Sequence, residues 1–395
     1  MQLTVKQEKG LRIAVDRFNN REPYTCIAGY AGSGKSTLIR FIIAALGLED
    51  WQVAYVAFTG KAAKVLSQKG CPNATTAHKL LYWAAPTPQG TFIFKPKPNL
   101  GLGLKLIVVD EVSMLPKQMW ELLLKHRIYI LATGDPGQLP PINPDDDNHV
   151  LDKPHVFLDE IMRQAQESEI IRLSMHIREG KPLTTFDASR KEVMVTDISQ
   201  ITTGMYEWAD QILCATNARR NDINQAMRTI KGFGTEPEVG DKIISLRNHW
   251  NDFSNTGNAL TNGTIGYIED YTRSSFYVPQ HIYEPGSLDV LCTTVKTEDE
   301  DKFEGLWLDY KALTTGEKAL SNKQEYQMNK YKSCPDAPYE FVYGYAITTW
   351  KAQGSEWPRV LGFEESFPWD KDTHRRFLYT MTTRASEKLV IVQKA

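Results

Sequence analysis

Short apolar runs recur along the first 155 residues. Residues 24–28, 53–58, 106–109 and 128–133 are rich in β-branched and aromatic side chains. Runs of this length with no polar alternation predict strands buried on both faces of a parallel sheet. Helix-period segments separate them, the clearest being the apolar stretch 38–46. Strand, loop and helix in repetition predict a doubly wound α/β domain. Residues 82–103 break the rhythm, with five Pro or Gly before Asn99 and a Gly101-Leu102-Gly103 exit. Within them, 91–94 (Thr-Phe-Ile-Phe) predicts one strand of a small hairpin. An insertion between core strands is either functional or a decorative loop.

Further on, residues 164–180 predict an amphipathic helix with Ile170, Ile171, Leu173 and Ile177 inward. A strand at 212–215 and a polar helix at 217–230 follow. From Val239 to about Tyr339 the texture changes to short β runs at 242–246, 266–271, 275–278 and 290–294, with an acidic, solvated turn at 298–301. This spacing predicts a small barrel. From Phe341 α/β character returns, so a β module is inserted in a second α/β domain.

Composition changes this picture little. A chain of 395 residues exceeds one ordinary core, and 42% hydrophobic with 24% charged residues is globular. No apolar run approaches the roughly 18 residues of a membrane span, and the first residues lack the apolar core of a signal peptide. Five cysteines, at 26, 71, 214, 292 and 334, are dispersed with no C-x-x-C pair, against a disulfide framework or zinc site and in favour of a reducing cytoplasm. Cys26, in an apolar strand, reads as a small core residue. With a net charge of −2, any polyanionic partner must be held by a local groove.

The chemistry is more specific. Residues 29–37 read Gly-Tyr-Ala-Gly-Ser-Gly-Lys-Ser-Thr, a complete G-x-x-x-x-G-K-[ST] phosphate loop between a predicted strand and helix. In that setting Gly32, Ser33, Gly34, Lys35, Ser36 and Thr37 offer backbone N–H groups, a helix N-terminus and an ammonium to phosphates. The strand 106–109 ends in Asp110 and Glu111. A carboxylate pair after an apolar strand, about 75 residues beyond a phosphate loop, predicts Mg²⁺ held by Ser36 and Asp110, with Glu111 activating water. After the strand at 128–133 comes Gly134-Asp135-Pro136-Gly137-Gln138, in which Gln138 either senses a γ-phosphate or belongs to a plain turn.

Three of these segments, Gly29–Thr37, Val109-Asp110-Glu111-Val112-Ser113-Met114 and Gly134-Asp135-Pro136-Gly137-Gln138-Leu139-Pro140-Pro141-Ile142, resemble motifs I, II and III of superfamily 1 helicases. The resemblance is to the RecD-like and Dda-like branch, which moves 5′ to 3′ on single-stranded DNA. Residues 158–164 (Leu-Asp-Glu-Ile-Met-Arg-Gln) resemble motif IV, 345–356 motif V and 379–385 (Tyr-Thr-Met-Thr-Thr-Arg-Ala) motif VI, all in the family's order. The resemblance implies that Gln7 reads adenine, that Arg163 and Arg384 reach the γ-phosphate, and that Gly354 and Glu356 of motif V help hold the nucleotide. Residues 58–63 and 75–80 resemble motifs Ia and Ib, implying DNA contacts by Thr59, Lys61, Thr76 and His78, although His78 also suits a core position. Residues 262–266 (Asn-Gly-Thr-Ile-Gly) resemble the start of the branch's SH3-like insertion, implying a DNA contact by Asn262, although Asn262-Gly263 by itself is only a hairpin turn. Thr348 and Trp350 fall in motif V, where the family has His at the position of Trp350; a Trp there stacks on a base or fills the core.

The resemblance thus implies an α/β fold of two RecA-like P-loop NTPase domains with a β-hairpin insertion and a small SH3-like β-barrel insertion. The implied boundaries are 1–81 and 104–157 for the first motor domain, 82–103 for the hairpin, 158–246 and 340–395 for the second motor domain, and 247–339 for the SH3-like insertion. The implied activity is ATP-dependent DNA unwinding, with ATP and Mg²⁺ as cofactors. Its partners would be single-stranded and forked duplex DNA, with a replication or recombination protein besides, and no membrane. The hairpin would be the strand-splitting pin, its Phe92 and Phe94 stacking on the parting base pair or packing a mini-core. A monomer in the cytoplasm of a bacterium or phage-infected host is expected. Two other readings stand beside it: a translocase that remodels nucleoprotein without unwinding, and a non-motor binding module with a dead ATP site.

Overall fold

A computed structural model describes residues 3–86, 92–141, 143–162, 165–188, 191–247, 249–257, 259–298, 300–328, 337–365 and 370–394. The chain divides into two compact units: Met1–Leu81 with Lys97–Ala215 and Thr348–Ala395, and Tyr82–Pro96 with Thr216–Ile347.

The first unit is built on two parallel sheets. In one, six strands run in the order Thr75–Thr76, Val53–Ala57, Leu106–Val109, Tyr129–Gly134, Tyr24–Gly29, Val156–Leu158, every pair parallel. The four predicted strands are all present, each within a residue or so of its expected bounds. Apart from the half-buried Tyr24 they are buried end to end, as a sheet covered on both faces requires. Ile27, Leu38, Ile42, Leu106, Val108, Leu131 and Val156 form its core. Cys26 lies inside the sheet, where burial pushes its thiol up to about 12. Helix Val5–Asn19 begins at a reciprocal cap: the Thr4 hydroxyl accepts from Gln7 N, and the Gln7 side chain accepts from Thr4 N. The second sheet carries Gln211–Cys214, Trp357–Phe363, Ala385–Gln393 and Val193–Asp197 side by side and parallel. Helix Lys371–Thr382 packs on helix Glu169–Arg178. The latter is shorter than the 164–180 expected, because Ser168 stays extended and Gly180 turns left-handed at φ +73°.

In the second unit an antiparallel sheet runs in the order Lys302–Asp309, Ser287–Thr297, Ile265–Tyr277, Lys242–Ser245, Phe341–Tyr343. The two short strands expected at 266–271 and 275–278 are one strand of 13 residues. The stretch 272–274 between them is polar and mostly exposed, but its backbone stays paired with Ser287–Thr297. Cross-strand bonds, not apolar pattern, carry the strand through. Strands Tyr82–Pro86 and Phe92–Pro96 pair as a hairpin, Tyr82 opposite Pro96 and Pro86 opposite Phe92. Thr91 lies outside the described residues.

Helix Asn217–Ile230, at its expected bounds, carries Arg228 into the interior. Its guanidinium, 1% exposed, meets the fully buried Asp241 at 2.9 Å and lies 4.5 Å above the Tyr343 ring. Tyr345 Oη donates to the same carboxylate at 3.0 Å. Breaking such a pair from one side strands the other charge in the interior. Arg228→Ala should therefore cost about 3–5 kcal/mol, read as a lower urea midpoint. The apolar double variant Arg228→Met with Asp241→Leu should lose less than that single change.

Candidate functional site

Because the six-stranded sheet is parallel throughout, the ends of its strands share one edge. Tyr24–Gly29 runs into the phosphate loop there, Leu106–Val109 into Asp110 and Glu111, and Tyr129–Gly134 into Asp135 and Gln138. Tyr129–Gly134 lies between the other two, so the three functional segments are neighbours.

The phosphate loop turns through two left-handed glycines, Gly32 at φ +75° and Gly34 at φ +81°. Gly34 immediately precedes helix Lys35–Ala45. A side chain there would be strained, and its Cβ would stand 2.5 Å from Gln7 Nε2. Gln7 is 1% exposed, and its amide donates to Ser33 O at 3.2 Å. It is thus a buried neighbour of the loop and no surface residue. Ser33 is buried, Ser36 exposed and Thr37 half-buried in the first turn. Lys35 Nζ donates to Gly29 O at 2.6 Å and Tyr30 O at 3.2 Å, which holds the ammonium against the loop.

Asp110 is positioned by Thr133, whose hydroxyl donates to Oδ1 at 2.9 Å. Glu111 takes φ +53°, a left-handed conformation uncommon outside glycine, and strain of this kind clusters at functional sites. Burial, with the Asp110 charge adding, raises the Glu111 carboxyl to about 7; Lys35 and Arg384 pull it back down. A carboxylate with so raised a pKa is a competent proton acceptor near neutrality.

Arg384, 5% exposed, donates to Thr380 O (3.0 Å), Ser355 O (3.1 Å) and Thr383 Oγ1 (3.0 Å). All three acceptors are neutral, and among the described residues no carboxylate pairs with it. Among the described residues it thus forms no salt bridge. The buried cation, carried by the second sheet, acts on Glu111, at the end of a strand of the first. Arg163, the other arginine expected at the phosphate, lies outside the described residues.

Gln138 is 7% exposed, and its Oε1 is buried without a hydrogen-bond partner. Its segment is also a turn: Gln138 N donates to Asp135 O, and Gly137 N to Asp135 Oδ1 at 2.9 Å. Two residues that the motif reading did not single out complete the site. Asp135 Oδ2 accepts from Tyr379 Oη at 2.6 Å, and the same hydroxyl accepts from Ala31 N, inside the phosphate loop, at 2.9 Å. Burial, then the Asp135 charge, raises the Tyr379 phenol far above its ordinary value, so it stays a donor. Asp135 had the same signature as Asp110, an acid after an apolar strand; Tyr379 had no signal beyond its place in the helix. Two further bonds tie the sheets together, Leu139 N to Thr380 Oγ1 at 2.9 Å and Gln353 Nε2 to Leu139 O at 2.8 Å.

The residues expected at DNA fall in several places. The Thr59 hydroxyl caps helix Gly60–Gln68, and Lys61 Nζ lies 4.2 Å above the Trp357 ring. Thr76 is buried and accepts from Lys79 N at 3.2 Å. His78 is half-buried, 6.0 Å from the Phe58 ring, and burial lowers its pKa. Gly354 and Glu356, the motif V residues that the resemblance puts at the nucleotide, neighbour helix Gly60–Gln68 and its end: a Cβ on Gly354 would stand 3.2 Å from Ala62, and Glu356 pairs with Lys69 at 3.7 Å. Thr348 accepts from Lys351 N at 3.4 Å, and the Trp350 ring lies 6.3 Å from the buried Phe377. In the second unit, Asn262 sits in the turn before strand Ile265–Tyr277, while Phe92 and Phe94 occupy backbone positions opposite Pro86 and Ala84. The side chains of Phe92 and Phe94 lie outside what is described. No helix among the described residues is long and apolar enough to cross a membrane.

An AAA domain family matches residues 3–200, and the UvrD-like helicase C-terminal domain family matches residues 343–392. The chain is 27% identical over 393 residues to the ATP-dependent RecD2 DNA helicase of Deinococcus radiodurans, covering 92% of this chain and 46% of that protein. It is 26% identical over 267 residues to the ATP-dependent DNA helicase dda of Enterobacteria phage T4, covering 61% of this chain and 60% of the relative. It thus spans about half to three-fifths of these relatives' lengths. Among solved structures it resembles the Pif1 helicase from Bacteroides (TM-score 0.56, 17% identity, all of this chain and 93% of that one). It also resembles the Pif1 helicase from Candida albicans (TM-score 0.52, 18% identity, 99% and 94%). Both share the fold of two RecA-like domains.

The Asp135–Tyr379 bond can be weighed directly. In a double-mutant cycle with Tyr379→Phe and Asp135→Asn, the coupling energy should be about 1–3 kcal/mol. Denaturant unfolding measures it, and additive single effects would mean that the bond contributes nothing.

Proposed function

This chain belongs to the AAA-domain family and to the superfamily 1 helicases of the RecD, Dda and Pif1 kind, and from that premise we propose that it is an ATP-dependent DNA helicase. It moves 5′ to 3′ on single-stranded DNA and couples hydrolysis to unwinding. The observation that carries the reading is Arg384: a buried cation with only neutral partners, borne by one RecA-like sheet and acting on the carboxylate of the other. Buried charges are ordinarily paired, and a nucleotide between the sheets supplies the missing anion.

In this reading Gly32, Ser33, Gly34 and Thr37 cradle phosphates through the loop and the start of its helix. Lys35 lies on the β- and γ-phosphates, and Gln7 borders the adenine. Ser36 and Asp110 fit Mg²⁺, which needs few protein ligands when phosphate oxygens complete its shell, and it would supply positive charge to the transferring phosphoryl group. Glu111 takes a proton from the water whose oxygen bonds the γ-phosphorus as the bond to the β,γ-bridging oxygen breaks. Arg384, with Arg163, stabilises the charge that moves onto the phosphates, and Gln138 reports whether the γ-phosphate is present. Asp135 and Tyr379 pass that state between the sheets. Thr59, Lys61, Thr76 and His78 would contact the strand, along with Thr348 and Trp350. Asn262 marks the start of the SH3-like insertion, which would contact DNA as well. The proposed division is motor domains at 1–81 with 104–157 and 158–246 with 340–395, a pin at 82–103, and an insertion at 247–339. The position of the hairpin supports the pin.

The test is ATP hydrolysis with and without single-stranded DNA, followed by unwinding of 5′-tailed against 3′-tailed duplexes. Stimulation with unwinding from the 5′ tail supports the proposal. Stimulation without unwinding identifies a translocase, and hydrolysis indifferent to DNA removes the motor.

Glu111 dictates the pH dependence. Its carboxyl is raised, so the base is protonated and idle below about 7 and active above. kcat/KM should rise with pH through about 7. Glu111→Gln should bind ATP yet lose at least about 100-fold in turnover; normal hydrolysis in that variant would remove the assignment.

The pin makes a separate prediction. Replacing residues 91–94 with a Gly-Ser turn should leave DNA-stimulated ATPase unchanged, since no nucleotide motif lies there, and sharply reduce fork unwinding. Unwinding at the parent rate would leave the hairpin a decorative loop.

A further inference from the structure

A cavity of about 380 Å³ adjoins the phosphate loop on the side of Tyr30 and Tyr379, and three arginines, Arg178, Arg375 and Arg376, line it with no acidic residue among its walls. Arg178 is the best defined. Its guanidinium stacks 3.6 Å above the Tyr30 ring, which fixes its plane, and its Nη1 is buried with no hydrogen-bond partner. No ion pair joins Arg178 to any described residue. Arg375 and Arg376 share one carboxylate, Asp372, the second at 2.8 Å. Asp159 and Glu179 lie close enough to feel the charge of Arg178, but neither lines the cavity, whose wall carries three cations and presents an unsatisfied donor. A planar fork held rigid by stacking is suited to the oxygens of a phosphate. Its position narrows the ligand further. Tyr379 forms part of the wall, and its hydroxyl bonds Ala31 N of the phosphate loop. Gly137 contributes another part and packs on the Tyr379 ring, so closely that a Cβ there would stand 3.0 Å from it.

We propose that this cavity is a second anion site, separate from the phosphate loop, that binds inorganic phosphate. Its use as a site for the departing product rests on the reading above that the chain cleaves ATP. Tyr30 of the loop and Tyr379, whose hydroxyl bonds Ala31 N, both line the pocket, so phosphate released at the loop has an adjacent cationic site to enter.

Phosphate binding to the full chain, measured by calorimetry at constant ionic strength, tests the site without depending on hydrolysis. Lys35→Ala disables the loop but should keep the pocket's phosphate binding. Arg178→Gln should weaken it about tenfold, the scale of one charge-assisted hydrogen bond. Arg375→Gln with Arg376→Gln, on the partly exposed face of the helix, should weaken it similarly while circular dichroism stays that of the parent. Loss of all binding in Lys35→Ala, with full binding in both arginine variants, would overturn the site. Displacement of the phosphate by a single-stranded oligonucleotide would assign the pocket to nucleic acid and overturn it equally. Phosphate bound as expected by a chain that fails to hydrolyse ATP would leave the site standing and sink the functional reading instead.

Discussion

One hydroxyl joins the two halves of the candidate site. Tyr379 Oη is shared between the Asp135 carboxylate of one sheet's loop and the Ala31 amide of the phosphate loop, while Tyr379 itself rides on the helix that precedes Arg384. Because the phenol is buried, water cannot substitute for either partner, and a displacement at the phosphate loop must alter this bond or carry the helix with it. Arg384 sits five residues along the same chain segment, held by backbone carbonyls and a threonine, so its position relative to Glu111 inherits that constraint. The bonds from Leu139 to Thr380 and from Gln353 to Leu139 brace the same junction.

Glu111 shows how the site stores its reactivity. A left-handed backbone and removal from water are both unfavourable for a glutamate. Here they place a carboxyl with a pKa of about 7 between Asp110, which raises it, and Lys35 and Arg384, which lower it. Charges arriving at or leaving the phosphate loop would shift that balance, which links the occupancy of the site to the readiness of its base.

The second unit follows different rules. Its long antiparallel strands persist through polar, exposed stretches because neighbouring strands supply the hydrogen bonds. Its interior spends a buried ion pair, Arg228 with Asp241, where an apolar pair would serve stability as well. That pair fixes how helix Asn217–Ile230 meets the strand Lys242–Ser245.

The sequence by itself determined what is local. The parallel strands were legible because burial on both faces demands unbroken apolar runs, and the phosphate loop because its turns demand glycine at fixed spacing. Asp110, Glu111 and Arg384 were legible as motif residues. Tertiary structure alone decided what depends on partners distant in the chain. Asp135 and Tyr379 are 244 residues apart, and neither shows its importance until the sheets meet. That Arg384 forms no ion pair with a carboxylate among the described residues is a property of its surroundings and leaves no trace in its own segment. That Gly354 and Glu356 of motif V neighbour helix Gly60–Gln68 and its end, far earlier in the chain, is likewise invisible in their own segment. The strand Ile265–Tyr277 crosses a polar stretch at which the apolar pattern ends one short strand and begins another. Periodicity records which side chains avoid water; it does not record which backbone groups find partners across a sheet, and that pairing forms only when the chain folds.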